Sequence, residues 1–229
     1  KQTVVTYTSP LNPSVFETKY AFDTFGRLQR LTYPDGEVLT NTYDSGGNLH
    51  SAQSEKNGYR YRYLQALHYD KFEQRVQMEQ GNGVKTAYAY DPKTRRLATL
   101  TAGKGTLFQN LHYGYDRVGN VLTLQNQVPV PPANQYGGPA QQAFTYDELY
   151  RLTSAQGSFQ YAPDKTHTYT LNMGYDTIHN ITTKNQLHTI VQPSLQAIPQ
   201  KKTTYDWTYT YNPSGPASTR PHAPVKITG

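Results

Sequence analysis

One phrase is written seven times in this sequence. An aromatic residue and an aspartate are followed by two variable residues, a glycine or its substitute, a basic or amide residue, and an aliphatic. The copies begin at Phe22-Asp23, Tyr43-Asp44, Tyr69-Asp70, Tyr90-Asp91, Tyr115-Asp116, Tyr146-Asp147 and Tyr175-Asp176, with a degenerate eighth at Tyr211-Asn212. Successive aspartates stand 21, 26, 21, 25, 31 and 29 residues apart. A period of this size describes one small unit stacked on copies of itself, each touching only its neighbours.

The tail of the phrase keeps glycine in Gly26-Arg27-Leu28, Gly47-Asn48-Leu49 and Gly119-Asn120-Val121. Arg95-Arg96-Leu97, Tyr150-Arg151-Leu152 and His179-Asn180-Ile181 lose the glycine and keep the rest, and Glu73 takes its place after Asp70. Between the first copies runs a second turn signal: "YPDGE" at 33–37, "KNGY" at 56–59, "QGNGV" at 80–84 and "AGKGT" at 102–106. Asp-Gly and Asn-Gly favour hairpin turns because both residues tolerate positive φ. The chain therefore reverses at each aromatic-Asp pair and again at each glycine turn, so that every repeat is a two-stranded hairpin. Alternation supports the strands. Val84, Thr86, Tyr88 and Tyr90 share one face of "VKTAYAY", and Tyr59, Tyr61 and Tyr63 oppose Arg60 and Arg62. Period-two alternation puts the tyrosine face inward and the arginine face in solvent.

Each aspartate is expected to accept hydrogen bonds from backbone N–H groups just ahead of it, as an Asx-turn, while glycine supplies the positive φ. The aromatic before it is expected to pack against its counterpart in the next repeat, each such cross-strand pair contributing about 0.2–1 kcal/mol. Replacing Tyr90 should then be costly, and replacing Tyr136, in a Pro-Gly loop, should not.

Composition agrees with a thin, aromatic β-structure. There are 21 tyrosines, and charged residues are only 17% of the 229, which is unlike a disordered chain. The net charge of +6 permits weak attraction to acidic partners but is no nucleic-acid signal. On "YRYRY" the rings and guanidinium groups point to opposite faces, which does not make a stacking groove. Cysteine is absent, and no run of some 18 apolar residues occurs that would span a membrane. The seven histidines, His50, His68, His112, His167, His179, His188 and His222, form no i,i+4 or H-x-H pair, so no metal or other cofactor is expected. No nucleophile, P-loop or dinucleotide motif is present. No catalytic residue is assigned.

Residues 1–19 read as leading strands, 20–126 as regular repeats, 127–212 as repeats with long insertions, and 213–229 as a closing segment. The insertions are "NQVPVPPANQYGGPAQQ" (126–142), "QYAPDKTHTY" (160–169) and "IVQPSLQAIPQKK" (190–202), each read as a surface loop or rim excursion.

"YAFDTFGRL", "TYDSGGNL" and "GYDRVGNVL" resemble the Rhs or YD repeats of bacterial Rhs polymorphic toxins, of the C component of Tc toxin complexes and of teneurins. The resemblance runs from about Tyr20 to Asn212. It implies an all-β, open spiral sheet of stacked hairpins forming part of a hollow shell. In a secreted bacterial toxin such a shell encloses a toxin polypeptide, so the partners implied are that polypeptide and neighbouring shell segments of the same protein. "STRPHAPVKITG" resembles the segment leading toward a core domain that closes these shells. The self-cleaving aspartyl motif of that domain is not carried over, because Asp91-Pro92 sits in an ordinary repeat turn. Free edges at "QTVVTYT" and "WTYTY" suit one segment of a longer wall, which would pair edge to edge in isolation. The alternative is a module that binds carbohydrate or a cell surface through its repeated tyrosines.

Overall fold

The computed structural model describes residues 2–8, 15–132, 135, 137–192, 195–212 and 220–229. Tyr136 lies outside the described residues, as do residues 213–219. The described residues hold strands and turns, with no helix long and apolar enough to cross a membrane.

The chain divides into two compact units. The first comprises residues 1–89 and 100–107. In it, β1 (Gln2–Thr8), β2 (Val15–Phe22), β3 (Leu28–Thr32), β4 (Val38–Tyr43), β5 (Leu49–Lys56), β6 (Tyr59–Tyr69), β7 (Arg75–Gln80) and β8 (Lys85–Tyr90) each pair antiparallel with the next. The second comprises 90–99 and 108–229, and β9 (Leu97–Lys104) and β10 (Thr106–Tyr115) are divided between the two. The second unit continues with β11 (Val121–Asn126), β12 (Ala140–Tyr146), β13 (Leu152–Ala162), β14 (Lys165–Tyr175) and β15 (Ile181–Gln192), again paired in order from β10. Then β15 pairs with both β16 (Leu195–Pro199) and β17 (Tyr205–Tyr211), and β17 with β18 (Pro224–Thr228).

The repeat and the strands are in phase. Each repeat aromatic is the last residue of its strand, and the aliphatic six or seven residues on opens the next, Arg75 replacing it in β7. The ladder shifts register at Phe22, Tyr43, Tyr69, Tyr115, Tyr146 and Tyr175. A three-residue turn ending in a left-handed residue produces such a bulge. At the opposite ends the glycine turns behave as their sequences require. Asn57 and Gly58 both have positive φ, 53° and 81°, the signature of a two-residue type I′ hairpin.

Fully buried side chains are few. Among the described residues the apolar ones are Leu67, Ala102, Val128 and Ala155, joined by Ser54, Thr86 and Asn180. Cohesion therefore comes from ladder hydrogen bonds and half-buried cross-strand contacts rather than from a central core. Two expectations change. The rings of Tyr59, Tyr61 and Tyr63 do not face inward: they are 69%, 50% and 55% exposed, as are their arginine neighbours. This stretch of β6 pairs with β5 but runs past the end of β7, whose pairing with β6 begins at Leu64. And "QYAPDKTHTY" and "IVQPSLQAIPQKK" are not loops. They are the far ends of hairpins β13–β14 and β15–β16, whose strands lengthen to 11 and 12 residues in β13, β14 and β15. In the first insertion the described residues 127–132, 135 and 137–139 lie in no strand, and proline there removes the ladder donor.

Candidate functional site

The repeated turn is the chemical feature of the molecule, and its geometry recurs closely. In the first copy the Asp23 N–H donates to the Arg27 carbonyl at 2.9 Å, and the Gly26 N–H returns to the Asp23 carbonyl at 3.1 Å. Asp44, Asp70, Asp147 and Asp176 make the same pair of bonds. The carboxylate then gathers the exposed donors of the turn. Asp23 Oδ1 accepts from the N–H groups of Phe25 and Arg27. Asp70 accepts from Phe72 and Gln74, Asp147 from Leu149 and Arg151, and Asp176 from Ile178 and Asn180. Asp116 takes three, from Val118, Gly119 and Asn120. Asp44 binds the Asn48 N–H, and Asp91, in a turn one residue longer, binds Lys93 and Thr94.

The second carboxylate oxygen explains the basic or amide residue of the phrase. Oδ2 of Asp23, Asp116, Asp147 and Asp176 meets Arg27 Nε, Asn120 Nδ2, Arg151 Nε and Asn180 Nδ2 at 2.7–2.9 Å. These bonds set the carboxyl pKa. At Asp23, Asp116 and Asp176 burial works to raise it, yet the donors of Arg27, Asn120 and Asn180 outweigh burial and the group lies below its ordinary value. At Asp91 and Asp147 the backbone N–H groups of Thr94 and Arg151 lead the same lowering.

The tyrosines do not pack on one another as expected. In five of the seven copies the hydroxyl reaches the backbone carbonyl of the residue that opens the same hairpin: Tyr43 to Leu28 at 2.7 Å, Tyr69 to Leu49 at 3.1 Å, Tyr115 to Leu97 at 2.9 Å, Tyr146 to Val121 at 2.9 Å and Tyr175 to Leu152 at 2.8 Å. Even the degenerate copy obeys, with Tyr211 on Ile181 at 3.0 Å. At Leu28 the same carbonyl also accepts from Asn41 Nδ2 at 3.0 Å, beyond the last β3–β4 ladder pair, Arg30 with Thr40. Burial pushes these phenols up at Tyr69, Tyr115, Tyr146, Tyr175 and Tyr211.

Arginine of one copy then reaches the next. The Arg27 guanidinium lies 4.4 Å from the Tyr43 ring centroid and Arg151 4.7 Å from Tyr175, a cation–π geometry. Arg96 and Arg151 donate Nη1 to the carbonyls of Asp116 and Asp176. The turn glycines leave room for this reach. A Cβ on Gly47 or Gly119 would meet the guanidinium of Arg27 or Arg96 at 3.3 or 3.0 Å. Where glycine is lost, the left-handed backbone remains: φ is 61° at Glu73, 59° at Arg95, 61° at Tyr150 and 69° at His179. The arginine and tyrosine-hydroxyl contacts were not foreseen from sequence. Their signal was the pairing of Arg27 with Asn48, Arg96 with Asn120 and Arg151 with Asn180 in successive copies.

Every one of these carboxylates is occupied by turn donors, so the repeat is a scaffold rather than a set of acid–base pairs. A depression of about 380 Å³, lined by Gln125, Gln141, Gln156, Ser158, Thr168 and Tyr169 among others, carries no charged side chain, while one of about 470 Å³ lies at the repeat turns, where Asp91, Arg96 and Asp116 line it and are already engaged in the turn bonds. Among the described residues no group of three histidine or carboxylate side chains could hold a metal ion.

The same arrangement is found in known proteins. Toxin subunit YenC1 of Yersinia entomophaga is 34% identical over 157 residues, 64% of this chain, and YenC2 is 30% identical over 161 residues, 66% of it. The chain is homologous to the YD-repeat shell components of bacterial Tc toxins. It covers only 16% of the length of either subunit. A Photorhabdus luminescens Tc holotoxin pore structure matches with TM-score 0.70 and 27% identity, over 86% of this chain and 10% of the matched one. The TcdB2–TccC3 complex without its hypervariable C-terminal region matches 98% of this chain and 12% of its own, with TM-score 0.74 and 24% identity, a likeness of fold. No family model matches. With these relatives the fold class is that of an all-β sheet of stacked YD-repeat hairpins.

Proposed function

We propose that this chain is a stretch of the wall of a hollow shell, in a secreted bacterial toxin complex, whose task is to enclose a toxin polypeptide. The observation that carries the reading is the hydroxyl-to-carbonyl bond at the base of hairpin after hairpin, in a chain homologous to toxin subunits of which the match covers only 16%. Such a bond fixes each hairpin to a common base line and needs no central core, which suits a thin wall. The repeated residues, Phe22, Asp23 and Gly26 through Tyr175 and Asp176, build that wall and bind nothing themselves. Their hydroxyls and carboxylates are already satisfied by the chain, which weighs against the carbohydrate-binding alternative.

The test is protease protection of the complete protein to which this chain belongs. The enclosed polypeptide should resist added protease until the wall is weakened by Tyr175→Ala together with Tyr146→Ala. Cleavage of that polypeptide in the intact protein, as fast as in the weakened one, would overturn the reading.

A further inference from the structure

Strand β15 changes partner part-way along. Thr183–Gln186 pair with Thr208–Tyr205 of β17, and Thr189–Gln192 with Pro199–Leu195 of β16. His188 stands at the change. Its N–H donates to Thr204 Oγ1 at 3.1 Å, and its carbonyl accepts from the Gln200 N–H at 2.8 Å and the Thr204 hydroxyl at 3.3 Å. Its ring Nδ1 bonds Thr203 Oγ1 at 2.5 Å. The loop 200–204 therefore hangs largely on one residue. The other ring nitrogen, Nε2, lies 2.8 Å from Nδ1 of His167 on β14.

A contact of 2.8 Å between two ring nitrogens holds one proton. With His167 donating, His188 accepts on Nε2 and gives its Nδ1 proton to Thr203. With the roles reversed, the Thr203 hydroxyl donates instead. Either tautomer keeps the loop attached. One added proton can sit on His188 Nδ1 and leaves the contact as an imidazolium donating to a neutral imidazole; only when both rings are cationic does N–H face N–H, and the rings must then part. His167 resists protonation on its other side too, because its Nε2 is buried with no hydrogen-bond partner. Burial, then the neighbouring His188, holds His167 below the ordinary histidine value.

No counter-charge waits at the site. From β13 the rings of Phe159 and Tyr161 pack on His167, with centroids 6.3 and 5.1 Å away. On β14, Tyr169 is paired with His188. The charged residues of the flanking segments are Asp164 and Lys165 at the β13–β14 tip, Lys201 and Lys202 in the loop, and Asp206 on β17, while β16 has none. No carboxylate makes a group of three with the two imidazoles among the described residues.

We propose that His167 and His188 form an acid-sensitive latch, in which one shared proton holds loop 200–204 and the long β14–β15 rim together as long as His167 stays neutral, and protonation of both rings releases them. The sign follows from linkage. A histidine held neutral in the fold is protonated more readily when exposed, so the latch is secure above the ordinary imidazole range and weakens as pH falls through it. The inference stands whether or not the wall encloses a polypeptide.

Two measurements on the chain test it. Imidazole carbon–proton NMR should show the pair titrating in two macroscopic steps more than about one pH unit apart. Amide exchange, corrected for its intrinsic pH dependence, should accelerate at least about tenfold at the His188 and Gln200 N–H groups between about pH 7.5 and about pH 5. In His167→Gln, which cannot take the second charge, that acceleration should vanish. Independent single-site titrations, exchange unmoved by acid, or an equal acceleration in the variant would each overturn the latch. Should the variant fail to fold, the two measurements on the parent chain decide alone.

Discussion

Hairpins β3–β4 and β13–β14 carry the same phrase at their base and almost nothing in common at their tip. The strands have 5 and 6 residues in the first and 11 each in the second. The base is nearly superposable in its bonds: Tyr43 on Leu28 at 2.7 Å against Tyr175 on Leu152 at 2.8 Å, with the guanidinium of Arg27 or Arg151 over the ring. The short hairpin ends in "YPDGE", where the Glu37 N–H binds Asp35 Oδ1. The long one ends at Pro163-Asp164. Chain length is thus free to vary at one end because the other is fixed by side chains. Each added residue pair extends the ladder without disturbing the turn chemistry. The stretched spacing of the later repeats is extra strand, not extra loop, except at 127–139.

The comparison breaks first under acid. The lowered carboxyls of Asp23, Asp91, Asp116, Asp147 and Asp176 stabilise the fold above the unfolded value near 4, and that contribution is lost as pH falls through their lower folded values. Because short and long hairpins share the base, both should fail together in an acid titration followed by far-UV circular dichroism. Loss of the long hairpins alone would show that length, not the turn, controls cohesion.

Next is the ring. Tyr175→Ala should cost about 3 kcal/mol in urea denaturation, the low end for aromatic truncation because the ring is half-buried. Tyr61→Ala, on the exposed part of β6, should stay within about 0.5 kcal/mol. Equal costs would mean that the base contact is not what holds a hairpin. Gly26→Ala should cost about 1–2 kcal/mol, since φ is +78° with nothing within 4 Å of the added methyl and strain acts alone. Tyr175→Phe removes only the hydroxyl and should cost about 1 kcal/mol. The smallest effect runs the other way. Tyr150→Gly relieves a left-handed tyrosine that is 59% exposed and should stabilise by less than about 1 kcal/mol, read as a rise in Tm. A fall would mean that the exposed ring contributes more than its backbone costs.

Much of this was legible in the residues. The hairpins, the Asx-turns at Asp23 through Asp176 and the type I′ turn at Asn57-Gly58 depend on neighbours within five positions, where local sterics and hydrogen bonding decide. The role of the tyrosine was not legible. Its hydroxyl partner lies 15 residues away for Tyr43 and 30 for Tyr211, and alternation reports only which face a ring takes, never what its tip meets. The same limit hid the exposure of Tyr59, Tyr61 and Tyr63, since a stretch paired on one side only reads like any other.

By itself, then, the sequence determined where the chain turns and that its turns recur, because those are properties of five consecutive residues. Only the tertiary structure decided what each recurrence holds. The tyrosine hydroxyl that finds a carbonyl 15 to 30 residues back, the arginine that crosses to the next turn past Gly47 or Gly119, and the facing of His167 and His188 across 21 residues all require strands to be paired in a definite register. Register is set by the whole ladder rather than by any one copy of the phrase.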